Sequence, residues 1–220
     1  MMSKALPLLL LALAATTIQG CSSSAGNLDY ETIRGNPTHD TAAAQQNNEK
    51  AVKLIEQEEY DKAESLLKKA LAVDITFGAA HNNLGKIYHH QSKLYLAAWE
   101  FQYAIKLMPN QPEPRNNLGL VFEAVGKLDD AVTAYGQALE LEPDNPQLMG
   151  NLARARVRRG DRDDSLRNLL SNLIMRETRP EWLTWARQKH AMMGANPDPA
   201  LEPGNITDTP HPNGPGTSYR

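Results

Sequence analysis

Apolar residues recur at helical steps in the middle of the chain and predict two successive amphipathic helices, because residues three and four positions apart share one side of a helix. The first set is Leu84, Ile87 and Tyr88, and the second is Leu94, Ala98, Phe101 and Ile105. The polar stretch Gln91-Ser92-Lys93 separates the two sets and predicts a turn. The pattern therefore predicts a helical hairpin.

The hairpin pattern returns 34 residues later. Asn82-Asn83-Leu84-Gly85 recurs as Asn116-Asn117-Leu118-Gly119. The other matched pairs are Tyr88 with Phe122, Ala97 with Ala131, Phe101 with Tyr135, Ala104 with Ala138 and Pro109 with Pro143. A fixed period of this length is typical of stacked repeats. Each proline is expected to end a unit, since proline cannot continue a helix interior.

This spacing of Leu, Gly, aromatic, Ala, aromatic, Ala and Pro resembles the tetratricopeptide (TPR) repeat. The resemblance implies an all-α fold, a solenoid of helical hairpins across residues 44–193. The expected units are 44–77, 78–111, 112–145 and 146–179, followed by a capping helix at 180–193. Trp182 and Trp185 in that last helix are expected to cover the end of the stack. A docking surface is the alternative for these two side chains.

The N-terminus has the pattern of a targeting segment. A mostly apolar run from Ala5 to Ile18 follows Lys4 and is shorter than a membrane-spanning helix requires. It ends in Ile18-Gln19-Gly20-Cys21, which resembles a bacterial lipobox. The resemblance implies a signal peptide at 1–20, a lipid on Cys21 and, given Ser22 after it, the outer membrane facing the periplasm. An ordinary signal peptide that leaves a free cysteine is the alternative.

Two polar segments flank the predicted helices. Residues 21–43 are predicted to be a flexible tether, with a reach of roughly 25 Å for a random coil of this length. Residues 194–220 contain many prolines and glycines and almost no apolar residues, so a disordered tail is expected.

Composition and motifs exclude several functions. A net charge of −3 gives no general attraction to nucleic acid. The sequence has no phosphate loop, HExxH, paired CxxC or GxSxG motif, so we predict no enzymatic activity and no cofactor. His89 and His90 are neighbours, which point about 100° apart on a helix, so we predict no metal site.

Arginines are concentrated near residue 160, at Arg154, Arg156, Arg158, Arg159, Arg162 and Arg167. Asp161, Asp163 and Asp164 lie among them, which favours a solvated, salt-bridged face. A basic end of a binding groove for an acidic partner is the alternative.

Asparagines follow the repeat period at Asn83, Asn117 and Asn151. The resemblance implies that these positions line the concave face and hold the backbone of an extended peptide, since an amide both donates and accepts. Side chains expected to add selectivity there are Asn82, Lys86, His89, Asn116, Glu123 and Arg154. The alternative, which the sequence leaves equally open, is that the amides tie neighbouring helices together.

The resemblance implies a membrane-tethered scaffold that binds partner proteins, as in the TPR lipoproteins that assist pilus or secretion-system assembly. An envelope adaptor that recruits peptidoglycan-remodelling enzymes is the alternative. A chaperone-tail clamp is not expected, because Glu113, Asn117, Gln147 and Asn151 occupy the positions where it needs basic residues.

Overall fold

A computed structural model describes residues 39–194, and the regular secondary structure of this region is all α-helix. The nine helices of this region are α1 (Thr41–Glu56), α2 (Tyr60–Val73), α3 (Gly78–His90), α4 (Leu94–Leu107), α5 (Glu113–Ala124), α6 (Leu128–Leu141), α7 (Pro146–Arg159), α8 (Asp164–Arg176) and α9 (Pro180–Ala191). The predicted all-α architecture is confirmed. The signal peptide, Cys21, most of the tether and nearly all of the predicted tail lie outside the described residues.

The helix ends follow local signals in the sequence. Asp40 accepts a hydrogen bond from the amide of Ala43 and caps α1, which therefore extends into the last three residues of the predicted tether. Asn145 and Asp163 cap α7 and α8 in the same way. No side chain caps the start of α9, which has Pro180 in its first turn, where a missing amide costs little.

The turn inside each hairpin contains one residue in the left-handed backbone region. These residues are Glu58, Ser92, Gly126 and Gly160, which are spaced 34 positions apart. The first two hairpins thus place an ordinary side chain where glycine adopts the conformation at no steric cost.

The small residues of the repeat lie where two helices of a hairpin touch. A Cβ atom added to Gly85 would lie 2.6 Å from the ring of Phe101, and one added to Gly119 would lie 2.6 Å from Tyr135. Ala97 is completely buried in the same seam. The close approach explains why the aromatic residue and the small residue recur together.

The hairpins stack in chain order, and the two sets of helices differ in their neighbours. Odd-numbered helices contact the next odd-numbered helix along the array, whereas even-numbered helices contact only the odd-numbered helices before and after them. The odd-numbered helices therefore form the inner side of the described stack, and the even-numbered helices form its outer side.

Candidate functional site: the inner side of the helix stack

The inner side contains a row of amide pairs that join successive hairpins. Nδ2 of Asn83 donates to Oδ1 of Asn48 at 2.9 Å, and Nδ2 of Asn117 donates to Oδ1 of Asn82 at 3.0 Å. A third bond, of 2.8 Å, runs from Asn151 to Asn116. Each donor lies 35 residues after its acceptor, so the bond always joins one odd-numbered helix to the next.

These contacts correspond to one of the two roles that the sequence left open, because the amides tie neighbouring helices together. Asn82, Asn116 and Asn117 are buried, and Asn151 is completely inaccessible. Asn83 is half-buried. A side-chain amide offers two N–H donors and an oxygen with two lone pairs, and each inter-repeat bond uses only part of this capacity.

A second polar contact joins α3 to α5. Nζ of the buried Lys86 forms an ion pair with the exposed carboxylate of Glu113 on the next inner helix. His89 lies one turn further along α3 and is half-buried. Lys86 therefore participates in the same inter-repeat bonding as the asparagines.

Glu123 is the centre of a buried charge cluster between α5 and α7. Its carboxylate accepts from Arg154 at 2.9 Å and 2.6 Å, from Arg158 at 2.7 Å and from the hydroxyl of Tyr135 at 2.9 Å. Burial raises the pKa of Glu123, but the hydrogen bonds from Arg154, Arg158 and Tyr135 and the positive charge of Arg154 outweigh it, and the pKa is lowered overall. Burial also raises the pKa of Tyr135 well above its usual value.

The charge cluster and the amide row are continuous. Arg154 also donates to Oδ1 of Asn151 at 3.1 Å, and Asn151 donates in turn to Asn116. Both Glu123 and Arg154 are buried, so these two of the charges that were expected to give selectivity are satisfied within the protein. Their accessible contribution to the inner side is small.

Two of the remaining arginines near residue 160, Arg156 and Arg159, form ion pairs. Arg156 bonds Asp161 and Asp163, while Arg159 bonds Asp161 and the more distant Asp129. The hydrogen bond from Arg159 is the main reason that the pKa of Asp161 is lowered to about 2. The geometry agrees with a salt-bridged face.

The described residues contain neither a cluster of metal ligands nor a membrane-spanning helix. Residues 39–194 contain no group of three or more His, Cys, Asp or Glu side chains arranged to hold a metal ion. Within the same range no helix has the length and apolar character needed to cross a membrane.

The sequence matches the Tetratricopeptide repeat family over residues 48–112 and again over residues 112–145. Residues 48–145 are tetratricopeptide repeats. No curated protein sequence matches it significantly.

Solved TPR structures share the fold. The structure from a functional characterization of Pseudomonas aeruginosa PilF is 21% identical with a TM-score of 0.63, covering 69% of each chain. The first TPR of Spaghetti (RPAP3), bound to the HSP90 peptide SRMEEVD, is 24% identical with a TM-score of 0.55 and covers 57% of this chain and 100% of its own. YrrB, described as a TPR protein with an unusual peptide-binding site, is 18% identical with a TM-score of 0.61. The match covers 72% of this chain and 81% of YrrB.

The amide row ends where the TPR array meets its last helix. The next position in the series of Asn83, Asn117 and Asn151 is Trp185, and Gly150 stands where the acceptor asparagine is expected. A Cβ atom on Gly150 would lie 2.7 Å from the indole of Trp182. An apolar contact thus replaces the amide pair between α7 and α9.

Both tryptophans of α9 are buried in a cluster with Met149, Leu166 and Leu170. Their burial agrees with the capping role and contradicts the alternative of an exposed docking surface, because neither ring is available to a partner.

Asn48 is the inner-side residue that the sequence reasoning missed. Its signal was present, since Asn48, Asn82 and Asn116 are spaced by 34 residues, as are the three donors. The first hairpin carries a weaker version of the repeat, and this hid the relation.

Proposed function

We propose that this protein is a non-catalytic scaffold whose inner side binds a partner polypeptide in an extended or helical form. The single observation that supports the proposal most is the amide row, which joins consecutive hairpins and fixes a polar surface before any partner arrives. Preorganisation of this kind reduces the ordering cost of binding.

The accessible part of that surface is narrower than the sequence implied. Among the described residues, Nδ2 of Asn82 and Nδ2 of Asn116 have no hydrogen-bond partner, and neither nitrogen is sealed from solvent although both residues are largely buried. Their oxygens accept from the next hairpin. The half-buried Asn83 retains a second N–H and its own oxygen for a ligand. The proposed contacts to a peptide backbone are therefore concentrated on α3 and α5.

Peptide binding by similar folds supports the proposal. The similar RPAP3 domain was solved with an HSP90 peptide, and YrrB is described as having a peptide-binding site. A different mode is proposed here, because the clamp positions hold Glu113, Asn117, Gln147 and Asn151 and offer no cation for a terminal carboxylate.

Site-specific photocrosslinking in producing cells tests the inner side directly. A photoreactive amino acid at Ala79 would stand on α3, on the inner side and half-exposed, with no inter-repeat bond to disturb. The matched control at Gln137 is exposed on the outer helix α6. We expect protein adducts from position 79 and far fewer from position 137. Equal adducts from both positions would contradict the proposed surface.

The tethering part of the proposal is based on the sequence alone. The Ile18-Gln19-Gly20-Cys21 pattern supports a lipid on Cys21 and residence at the outer membrane, facing the periplasm. Labelled palmitate should enter the wild-type protein and not Cys21→Ser. A wild-type protein that remains unlabelled would refute the tether and leave the inner-side proposal intact.

The resemblance to TPR lipoproteins supports a partner that belongs to a pilus or secretion-system assembly. Identification of the proteins crosslinked at position 79 tests this choice of partner. Secretin or pilus subunits would support an assembly role. Peptidoglycan hydrolases would replace it with the adaptor alternative.

A further inference from the structure

Helix α4 exposes an aromatic stripe on the outer side of the stack. Tyr95, Trp99 and Tyr103, here called the α4 stripe, are spaced by four residues and so lie close to one line along the helix. Tyr95 is 80% exposed and Trp99 is 52% exposed. Leu96 lies beside them and is also exposed.

The repeat itself does not require this stripe. One period earlier, on α2, the equivalent residues are Asp61, Ser65 and Lys69, and one period later, on α6, they are Asp129, Thr133 and Gln137. All six of these side chains are exposed. The neighbouring hairpins therefore fold with polar residues at these positions, so the repeat fold does not account for the exposed rings of Tyr95 and Trp99.

The charged residues beside the stripe are mainly lysines, which disfavour pairing of the stripe with a second copy of the chain. Lys93 precedes it, and Lys106 follows it with Nζ 5.4 Å from the ring centre of Tyr103. The one carboxylate of α4, Glu100, bonds His81. A second copy of the chain, paired antiparallel through the same stripe, would bring Lys93 close to Lys106 of its partner, a contact that like charges disfavour.

His39, the first described residue, lies near the Tyr103 end of the stripe. His39 is bonded to Asp74, and the carbonyl of the adjacent Ile75 accepts from His81 at 2.9 Å. The ring of His81 stacks on Tyr103 with centres 5.2 Å apart. Residues 21–38 can span at most roughly 60 Å in any conformation. A lipid on Cys21 would hold His39, which lies close to the Tyr103 end of the stripe, within this distance of a bilayer.

We propose that the α4 stripe lies against the headgroup layer of the bilayer that holds the lipid anchor, a step that depends on the anchoring part of the proposed function. Tyrosine and tryptophan favour the membrane–water interface, and lysines beside them are attracted to anionic lipids. Tethering raises the local concentration of the surface, so a weak contact suffices. The contact turns the outer side to the membrane and leaves the inner side open to a partner.

Trp99 provides the measurement, because the other two tryptophans, Trp182 and Trp185, are buried. The full acylated chain, purified from membranes, is reconstituted into vesicles of phosphatidylethanolamine and phosphatidylglycerol that contain acyl chains spin-labelled near the headgroup. We expect loss of most of the Trp99 emission, defined as the difference between the wild type and Trp99→Phe.

A matched control moves the probe by one hairpin. Thr133→Trp in the Trp99→Phe background places an exposed tryptophan at the equivalent position of α6, and its emission should remain unquenched. The variant Tyr95→Asp with Trp99→Thr, which carries the residues of α6, should remain acylated and helical but should be released from vesicles more readily after the lipid is cleaved from the protein.

The possible failures are distinguishable. An acylated chain whose Trp99 emission is unchanged in the vesicles would overturn the bilayer contact and leave the anchor standing. Protein adducts from a photoreactive residue at position 95, together with an unquenched Trp99, would assign the stripe to a protein partner instead. A chain with no acyl group on Cys21, as measured by mass, would refute both the anchor and the contact.

Discussion

Nδ2 of Asn151 donates to Oδ1 of Asn116 across 2.8 Å, and both side chains are shielded from solvent. The bond joins α5 to α7, two helices that are not neighbours in the chain. The repeated asparagines are thus first a device for holding hairpins in register, and any role in binding uses the hydrogen-bonding capacity that remains.

Asn116→Ala should lower the free energy of unfolding by about 1–3 kcal/mol, because Asn151 would then have a buried N–H without its acceptor. Urea unfolding followed by circular dichroism measures the change. Asn110→Ala is the control, since Asn110 is exposed in the loop before α5 and should shift stability by less than about 0.5 kcal/mol. Equal effects of the two variants would show that the buried amide pair contributes little.

Glu123→Gln should lower the free energy of unfolding by more, roughly 3–5 kcal/mol, because the buried guanidinium of Arg154 would lose its compensating charge. Arg158→Ala, which removes the partly exposed partner of the same carboxylate, should cost at most about 1 kcal/mol. The comparison is made by urea unfolding at neutral pH. A larger loss for Arg158→Ala would contradict the assignment of Arg154 as the principal partner.

His81 should make stability depend on pH. Its Nδ1 faces a carboxylate oxygen of Glu100 at 2.6 Å and its Nε2 faces the Ile75 carbonyl at 2.9 Å, so the protonated ring donates to an acceptor from each nitrogen. Burial lowers the pKa of His81, but the bonds to Glu100 and Ile75 and the charge of Glu100 outweigh it and raise the pKa above its ordinary value. The stabilisation is therefore complete below about pH 6.5 and lost as pH rises through the raised pKa.

The measurement is the difference in free energy of unfolding between the wild type and His81→Gln, taken at about pH 5.5 and about pH 9. The difference should be larger at the lower pH. In the Glu100→Gln background this pH dependence should be much reduced, because the carboxylate that favours the charged ring is gone. A difference that stays constant across this range would rule out the charged pair.

Replacement of glycine by alanine should have opposite effects on stability at Gly85 and at Gly136. Gly85→Ala places a Cβ atom 2.6 Å from the ring of Phe101 and should cost roughly 1–3 kcal/mol through overpacking. Gly136→Ala meets nothing within 4 Å and should stabilise α6 by about 0.5–1 kcal/mol. Thermal unfolding of the two variants against wild type tests the pair, and a loss of stability in both would mean that the hairpin seam is not the cause.

Local spacing predicted the hairpins because the contacts inside them join residues close in sequence. Gly85 and Phe101 are sixteen positions apart, and their recurrence as Gly119 and Tyr135 identified both the helices and their seam. The polar inner residues were found by the same period. Their roles were not, since a period shows that Asn117 repeats Asn83 but does not show what either one touches.

The sequence by itself determined the helical hairpin, its 34-residue period and the polar character of the inner side, since these depend on the helical repeat and on which residues pack within one hairpin. Only the tertiary structure decided that Asn117 bonds Asn82, that Arg154 is buried against Glu123 and that Trp182 occupies the space beside Gly150. Such contacts depend on how one hairpin is rotated against the next. That rotation is set by the packing of whole helix faces, which no local pattern specifies.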